Sequence, residues 1–164
     1  MREVYIINTD PRIQNKEKYI GDKSSSGSKK WISFHYFEEI APAITAIRSK
    51  YDKIFSTHLT AESRSIYKLD LSISCALIFG NEHAGISKEL LAHTDGNFLI
   101  PQMGMVESLN ISVACAVSLY EALRQRLDND KYDLDYDETN PRHQQNLDTL
   151  LNIHHQSYRK QSIT

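Results

Sequence analysis

Two short stretches hold the residues best placed for chemistry. Gly80-Asn81-Glu82-His83-Ala84-Gly85-Ile86-Ser87 follows the apolar run Cys75 to Phe79. A carboxylate therefore stands just past a strand candidate, next to a glycine that permits close backbone approach. The second stretch, Gln102 to Asn110, follows Phe98 to Pro101 and sets Ser108 and Asn110 directly ahead of a long helix. Each has a plainer reading: the first is an ordinary strand-to-helix turn, the second a helix cap supplied by Ser108 or Asn110. The third candidate is GDKSSSGSKK, residues 21 to 30, which is loop-like in composition. It does not fit a phosphate-binding loop, which needs four residues between its glycines and a lysine after the second. Five residues separate Gly21 from Gly27, and Ser28 follows.

The elements that must position these stretches are legible by period. Strand candidates are Val4 to Ile7, Trp31 to Phe34, Lys53 to Thr57, Cys75 to Phe79 and Phe98 to Pro101. Phe37, Ile40, Ala41, Ile44, Ile47 and Tyr51 recur at three- and four-residue spacing, which predicts a helix with one buried stripe. Ser87 to His93 reads as a short helix capped by Ser87. A longer one runs from about Asn110 to Leu127, with Val113, Ala116, Val117, Tyr120, Leu123 and Leu127 on one face. Strands alternating with helices predict an α/β fold with a mostly parallel sheet, whose ligands bind beyond the carboxyl ends of the strands. Both candidate stretches lie at such ends.

At 164 residues with 40% apolar and 24% charged, the chain suits one domain with a real core. No apolar run approaches the roughly 18 residues of a spanning helix, and MREVYIINTDPR lacks a signal-peptide core, so a cytoplasmic protein without membrane contact is expected. Cys75 and Cys115 sit inside apolar runs and read as small buried hydrophobes, with no disulfide and no metal site. The net charge is only -2, but it is unevenly spread. Six bases face two acids between Pro11 and Lys30, and six acids face Lys131 between Asp128 and Glu138. The organisation is a domain over residues 1–127, then an acidic linker and a helical tail over 128–164, the helix spanning about Gln144 to Tyr158.

FGNEHAGIS at 79 to 87 and LIPQMGMVESLNISVACAVSLYEALRQR at 99 to 126 together resemble the second and third motifs of the SpoU/TrmH branch of the SPOUT, or trefoil-knot, RNA 2'-O-methyltransferases. Gln102 and Ile111 are the main departures from the third motif. Weaker similarity runs back through Ser56-Thr57-His58-Leu59 and Gly27 to Trp31, and the whole is most similar to the tRNA guanosine methyltransferases of the group. The resemblance implies a C-terminal trefoil knot, one of the few exceptions to the rule that chains do not thread loops. It also implies that S-adenosyl-L-methionine supplies a methyl to a ribose 2'-hydroxyl of RNA. The expected target is tRNA guanosine at position 18 in the D-loop, with ribosomal RNA as the alternative substrate.

By the same resemblance, Glu82, Ser108 and Asn110 belong to the catalytic neighbourhood, Glu82 as orienter or local acceptor. Thr57, Leu59, Gly80, Ile100 and Leu109 match cofactor contacts, with Leu59, Ile100 and Leu109 as apolar walls. Arg12, Lys29 and Lys30 are candidate RNA phosphate contacts, against the plainer reading of a solvated basic loop. A homodimer sharing its active site is implied, formed through the small-residue helix that begins near Asn110. The family's first motif, with its arginine-bearing helix, has no counterpart here, so the chain is expected to be N-terminally truncated relative to the family. A non-catalytic cofactor- or RNA-binding remnant is the corresponding alternative, and weak or no methylation by this form is the expectation.

Overall fold

The computed structural model describes residues 3–10, 32–81, 84–104, 108–132 and 137–161. Two compact units form: Met1–Glu39 with Leu134–Thr164, and Ile40–Asp133. In the first, β1 (Glu3–Ile7) pairs in parallel with β2 (Ser33–Phe37), Glu3 opposite Ser33 and Ile7 opposite Phe37. β2 thus starts later than the expected Trp31 and takes Phe37 away from the predicted helical stripe. Aromatic packing accounts for this, since Tyr5 stacks on its cross-strand partner His35 at 4.7 Å and on Phe37 at 6.3 Å between ring centroids. His35 Nε2 lies 3.5 Å from Glu3 Oε1, close enough for an ion pair but without hydrogen-bond geometry. The tail helix spans Pro141–Gln161, somewhat longer than its expected extent.

The second unit holds α1 (Ile40–Arg48), β3 (Lys53–Thr57), β4 (Arg64–Ser65), a 3-10 turn (Ile66–Lys68), β5 (Cys75–Ile78), α2 (Lys88–Leu91), β6 (Gly96–Leu99) and α3 (Ile111–Asp128). Its four strands are parallel in the order β4-β6-β3-β5. α1 buries Ile40, Ala43, Ile44 and Ile47, the spacing of a single apolar stripe, while Tyr51 lies past its end. β6 begins at Gly96 rather than the expected Phe98 because Asp95 fixes its entry. The Asp95 amide donates to Ile54 O at 2.7 Å, and its carboxylate accepts from Ile54 N at 2.7 Å and from Arg48 at 2.6 Å. Burial pushes this carboxyl up, but the Ile54 amide, the Arg48 guanidinium and Lys53 together hold it below the usual range.

One face of the sheet carries a core cluster: Phe55, Ile66, Leu69, Leu71 and Phe98, joined by Leu77, Phe79, Ile100 and Ala122 of α3. Phe79 meets Phe98 edge-on at 6.4 Å. On the other face Ser56, fully buried, donates to Asn97 Oδ1 at 2.5 Å. Thr57 of β3 and Arg64 of β4 both pair with Phe98, from opposite sides. Residues 58–63 must therefore arch across one face of β6, and Ser63 Oγ braces that arch by accepting from Thr60 N at 2.8 Å and donating to His58 O at 2.5 Å. A strand running beneath such an arch is the local geometry a threaded chain requires.

The apolar face read from the sequence of α3 is not its buried face. Val113, Tyr120 and Leu123 are exposed, whereas Ser118 and Glu121 are buried. Backbone groups of the turn after the 3-10 segment need partners, and α3 supplies them. Gln125 accepts from Leu71 N at 2.7 Å and donates to Leu69 O at 3.0 Å, while Arg126 donates to Leu71 O and Ile73 O at 3.1 and 3.0 Å. Glu121 in turn accepts from Gln125 at 2.8 Å and from Arg124 through both oxygens at 2.8 and 2.9 Å. Hydrogen bonds from Arg124 and Gln125 outweigh burial and hold the Glu121 carboxyl below its ordinary range.

Candidate functional site

Thr57, Gly80 and Ile100 each stand just at or past the carboxyl end of β3, β5 and β6, three strands that are adjacent in the sheet. Main-chain groups at this end have no further ladder partner, which is the general condition for ligand binding in open α/β sheets. Thr57 Oγ1 donates to Ile78 O at 3.3 Å and ties two of the three ends together. Leu59, on the arch, is 70% exposed, and Ile100 and Leu109 are half-buried. The expected apolar walls are therefore at the surface on the arch and partly covered beside the core.

Past Gly80 the chain closes a tight turn. Asn81 and Gly85 form a bridge, with Gly85 N donating to Asn81 O at 3.1 Å and Ala84 N to Asn81 Oδ1 at 2.6 Å. The turn favours glycine at both positions, for different reasons. Gly85 has φ of 65°, a conformation disfavoured for side chains with a Cβ, and a Cβ on Gly80 would lie 2.5 Å from the Gly85 carbonyl carbon. The close approach that glycine permits at Gly80 is thus, within this turn, to the backbone of Gly85. Glu82 lies outside the described residues, as do Arg12, Lys29 and Lys30. Ser87 Oγ accepts from Leu90 N at 3.2 Å and caps α2 as expected.

Ahead of α3, Asn110 Oδ1 accepts from Ser112 N at 2.9 Å and caps the helix, while Ser108 is exposed and Leu109 half-buried. The plainer reading of Asn110 therefore holds as geometry; its amide nitrogen is not used by that cap. What reading the chain by apolar period missed is the clamp of Glu121, Gln125 and Arg126. Its signal was available in the polar residues Ser118, Glu121 and Gln125, spaced by three and four on one line of an apolar helix. Among the described residues no cluster of His, Cys, Asp or Glu is arranged to hold a metal ion, and no helix is long and apolar enough to cross a membrane. Cys75 and Cys115 are free and half-buried, and burial pushes both thiols up, so they stay protonated near neutrality.

Residues 1–120 match the SpoU rRNA Methylase family. A tRNA (guanosine(18)-2'-O)-methyltransferase of Thermus thermophilus is 38% identical over 112 residues, which are 68% of this chain and 58% of the relative. The chain thus spans little more than half the length of that relative. Among solved structures, the TrmH/SpoU tRNA modifying enzyme of A. aeolicus superposes with a TM-score of 0.70 at 28% identity, over 91% of this chain and 73% of that one. The SpoU methyltransferase AviRb of Streptomyces viridochromogenes, solved in complex with the cofactor AdoMet, gives 0.57 at 26% identity over 63% and 41%.

Proposed function

The chain belongs to the SpoU rRNA methylase family, and from that premise we propose that it serves S-adenosylmethionine-dependent methylation of a ribose 2'-hydroxyl in RNA, with guanosine 18 of tRNA as the target. The observation that carries the reading is the row of Thr57, Gly80 and Ile100 at three adjacent strand ends, with Leu109 and Asn110 at the head of α3. The relatives' names supply the substrate: a tRNA (guanosine(18)-2'-O)-methyltransferase at 38% identity. The residues suit the group. An adenine edge can be read by main-chain amides and carbonyls at the strand ends, and Leu59 presents apolar surface to cover a ring face. S-adenosylmethionine, when bound, supplies a methyl on a sulfonium sulfur, so the protein has to position and not to oxidise or reduce.

In this reading Thr57, Gly80, Ile100 and Leu109 hold the cofactor with Leu59, and positioning the ribose oxygen in line with the methyl is the main contribution. Glu82 orients the ribose or accepts locally, and Ser108 and Asn110 shape the floor of the site, Asn110 with its amide nitrogen while its oxygen holds the helix. Arg12, Lys29 and Lys30 contact RNA phosphates, where clustered cations are rewarded by counterion release. Chain threading beneath the arch at residues 58–63 closes the knot. Two copies pair through the exposed face of α3, on which Val113, Tyr120 and Leu123 form an apolar stripe suited to an isologous contact. The cytoplasm is the expected place of action.

Calorimetry with S-adenosylhomocysteine tests the reading together with tritiated-methyl transfer to tRNA and mapping of the modified ribose. Binding of the nucleoside is expected, with methyl transfer by this form weak or absent and any transferred methyl at guanosine 18. A folded chain that binds no S-adenosylhomocysteine refutes it, and methyl found only on ribosomal RNA moves the substrate to that alternative.

A further inference from the structure

Three of the large apolar side chains exposed in the described residues follow the ends of neighbouring strands: Leu59 after β3, Tyr67 after β4 and Met103 after β6. Tyr67 differs from the other two in being aromatic and in lying between two cations, Arg64 and Lys68, along the chain. It is 60% exposed, in the 3-10 turn that begins directly after Ser65, and Ser65 pairs with Leu99. The turn therefore lies alongside Ile100, with Ile66 buried in the core beneath and Tyr67 directed away from it. The side chains of Arg64 and Lys68 are both exposed and make no hydrogen bond or ion pair among the described residues. Of the two acids in this stretch, Asp70 is engaged by the amide and hydroxyl of Ser72 at 3.0 and 2.6 Å, which hold its carboxyl below the usual range. Glu62 is on the preceding arch.

We propose that Tyr67, flanked by Arg64 and Lys68, is a stacking platform for an unpaired base of the RNA substrate, next to the strand ends that carry the methyl-transfer site. The proposal rests on the functional reading above and adds to it an RNA-binding contact that the apolar period and the motif residues do not indicate. An aromatic face offers every base a partner, and unpaired cations on either side neutralise the phosphates that bring it there. A single tyrosine has few rotamers to lose, so little of the stacking energy is spent on ordering it. A contact between protein copies would not need cations on both flanks.

The test uses the 164-residue chain and a fluorescein-labelled tRNA transcript, with binding followed by anisotropy across a salt series and with S-adenosylhomocysteine calorimetry and light scattering alongside. Tyr67→Ala is expected to weaken RNA binding at least about tenfold with an unchanged salt slope, whereas Tyr67→Phe keeps wild-type affinity. Arg64→Ala with Lys68→Ala is expected to make the salt slope shallower by about one to two. S-adenosylhomocysteine affinity stays constant in all three. Wild-type RNA affinity in Tyr67→Ala, an equal loss in Tyr67→Phe, no RNA binding by the wild type, or a change of oligomeric state in Tyr67→Ala each overturns the proposal. Failure of the wild type to bind S-adenosylhomocysteine refutes the methyltransferase reading separately, because the RNA arms are read without activity.

Discussion

Replacing Gly80 by alanine tests whether the turn after β5 is held by backbone contact. The added Cβ would lie 2.5, 2.8 and 2.9 Å from the carbonyl carbon, Cα and oxygen of Gly85. Carbon atoms are comfortable at about 3.5 to 4.0 Å, so the overlap is about an ångström, and it is against backbone that no rotamer change can move. Overpacking of this kind costs about 1–3 kcal/mol. If the turn yields, it does so by opening the Asn81–Gly85 bridge, whose hydrogen bonds at 3.1 and 2.6 Å contribute about 1 kcal/mol each. Both routes give about 2 kcal/mol. Since this turn must be closed for the strand-end site to be complete, the same energy appears as a roughly 30-fold weaker S-adenosylhomocysteine affinity by calorimetry. Gly85→Asn is the control, because no atom lies within 4 Å of its Cβ and asparagine tolerates positive φ; it should stay within a few-fold of wild type. Gly80→Ala with unchanged affinity and an unchanged urea midpoint would refute the account of the turn.

The clamp on α3 predicts that Gln125→Ala, which strands the Leu71 amide and the Leu69 carbonyl, lowers unfolding free energy by about 2–4 kcal/mol in urea titration; a loss under about 0.5 kcal/mol would contradict it. Asp95 has a depressed folded-state pKa, so its contribution is present above the unfolded value near 4 and is lost as pH falls through the lower folded value. The stability gap between wild type and Asp95→Asn should therefore be full at pH 7 and shrink only below about pH 4; a gap that does not depend on pH would sink the assignment. Tyr120→Asp, on the exposed stripe of α3, should convert a dimer to a monomer by light scattering at micromolar concentration while leaving the far-ultraviolet circular dichroism unchanged. A dimer that persists in that variant places the contact elsewhere.

Apolar period and local turn chemistry determined much of this protein without tertiary information. β3 is bounded as its residues predict, α1 keeps the stripe of Ile40, Ile44 and Ile47, and Ser87 and Asn110 cap the helices they precede. These features are local, since a strand face, a helical stripe and a cap each depend on residues a few positions apart. The motif residues were legible for the same reason: they lie in two continuous runs. Long-range partners decided the rest. β6 starts at Gly96 because Asp95 is held by Ile54 and Arg48, more than forty positions away in the chain. The buried face of α3 is the polar one because it must satisfy the backbone of residues 69 to 73, and this released Val113, Tyr120 and Leu123 to the surface, a choice hydrophobic patterning alone could not make. In one dimension Gly80 reads as a place where backbone can approach closely, and only the folded turn shows that Gly85 is the backbone it meets.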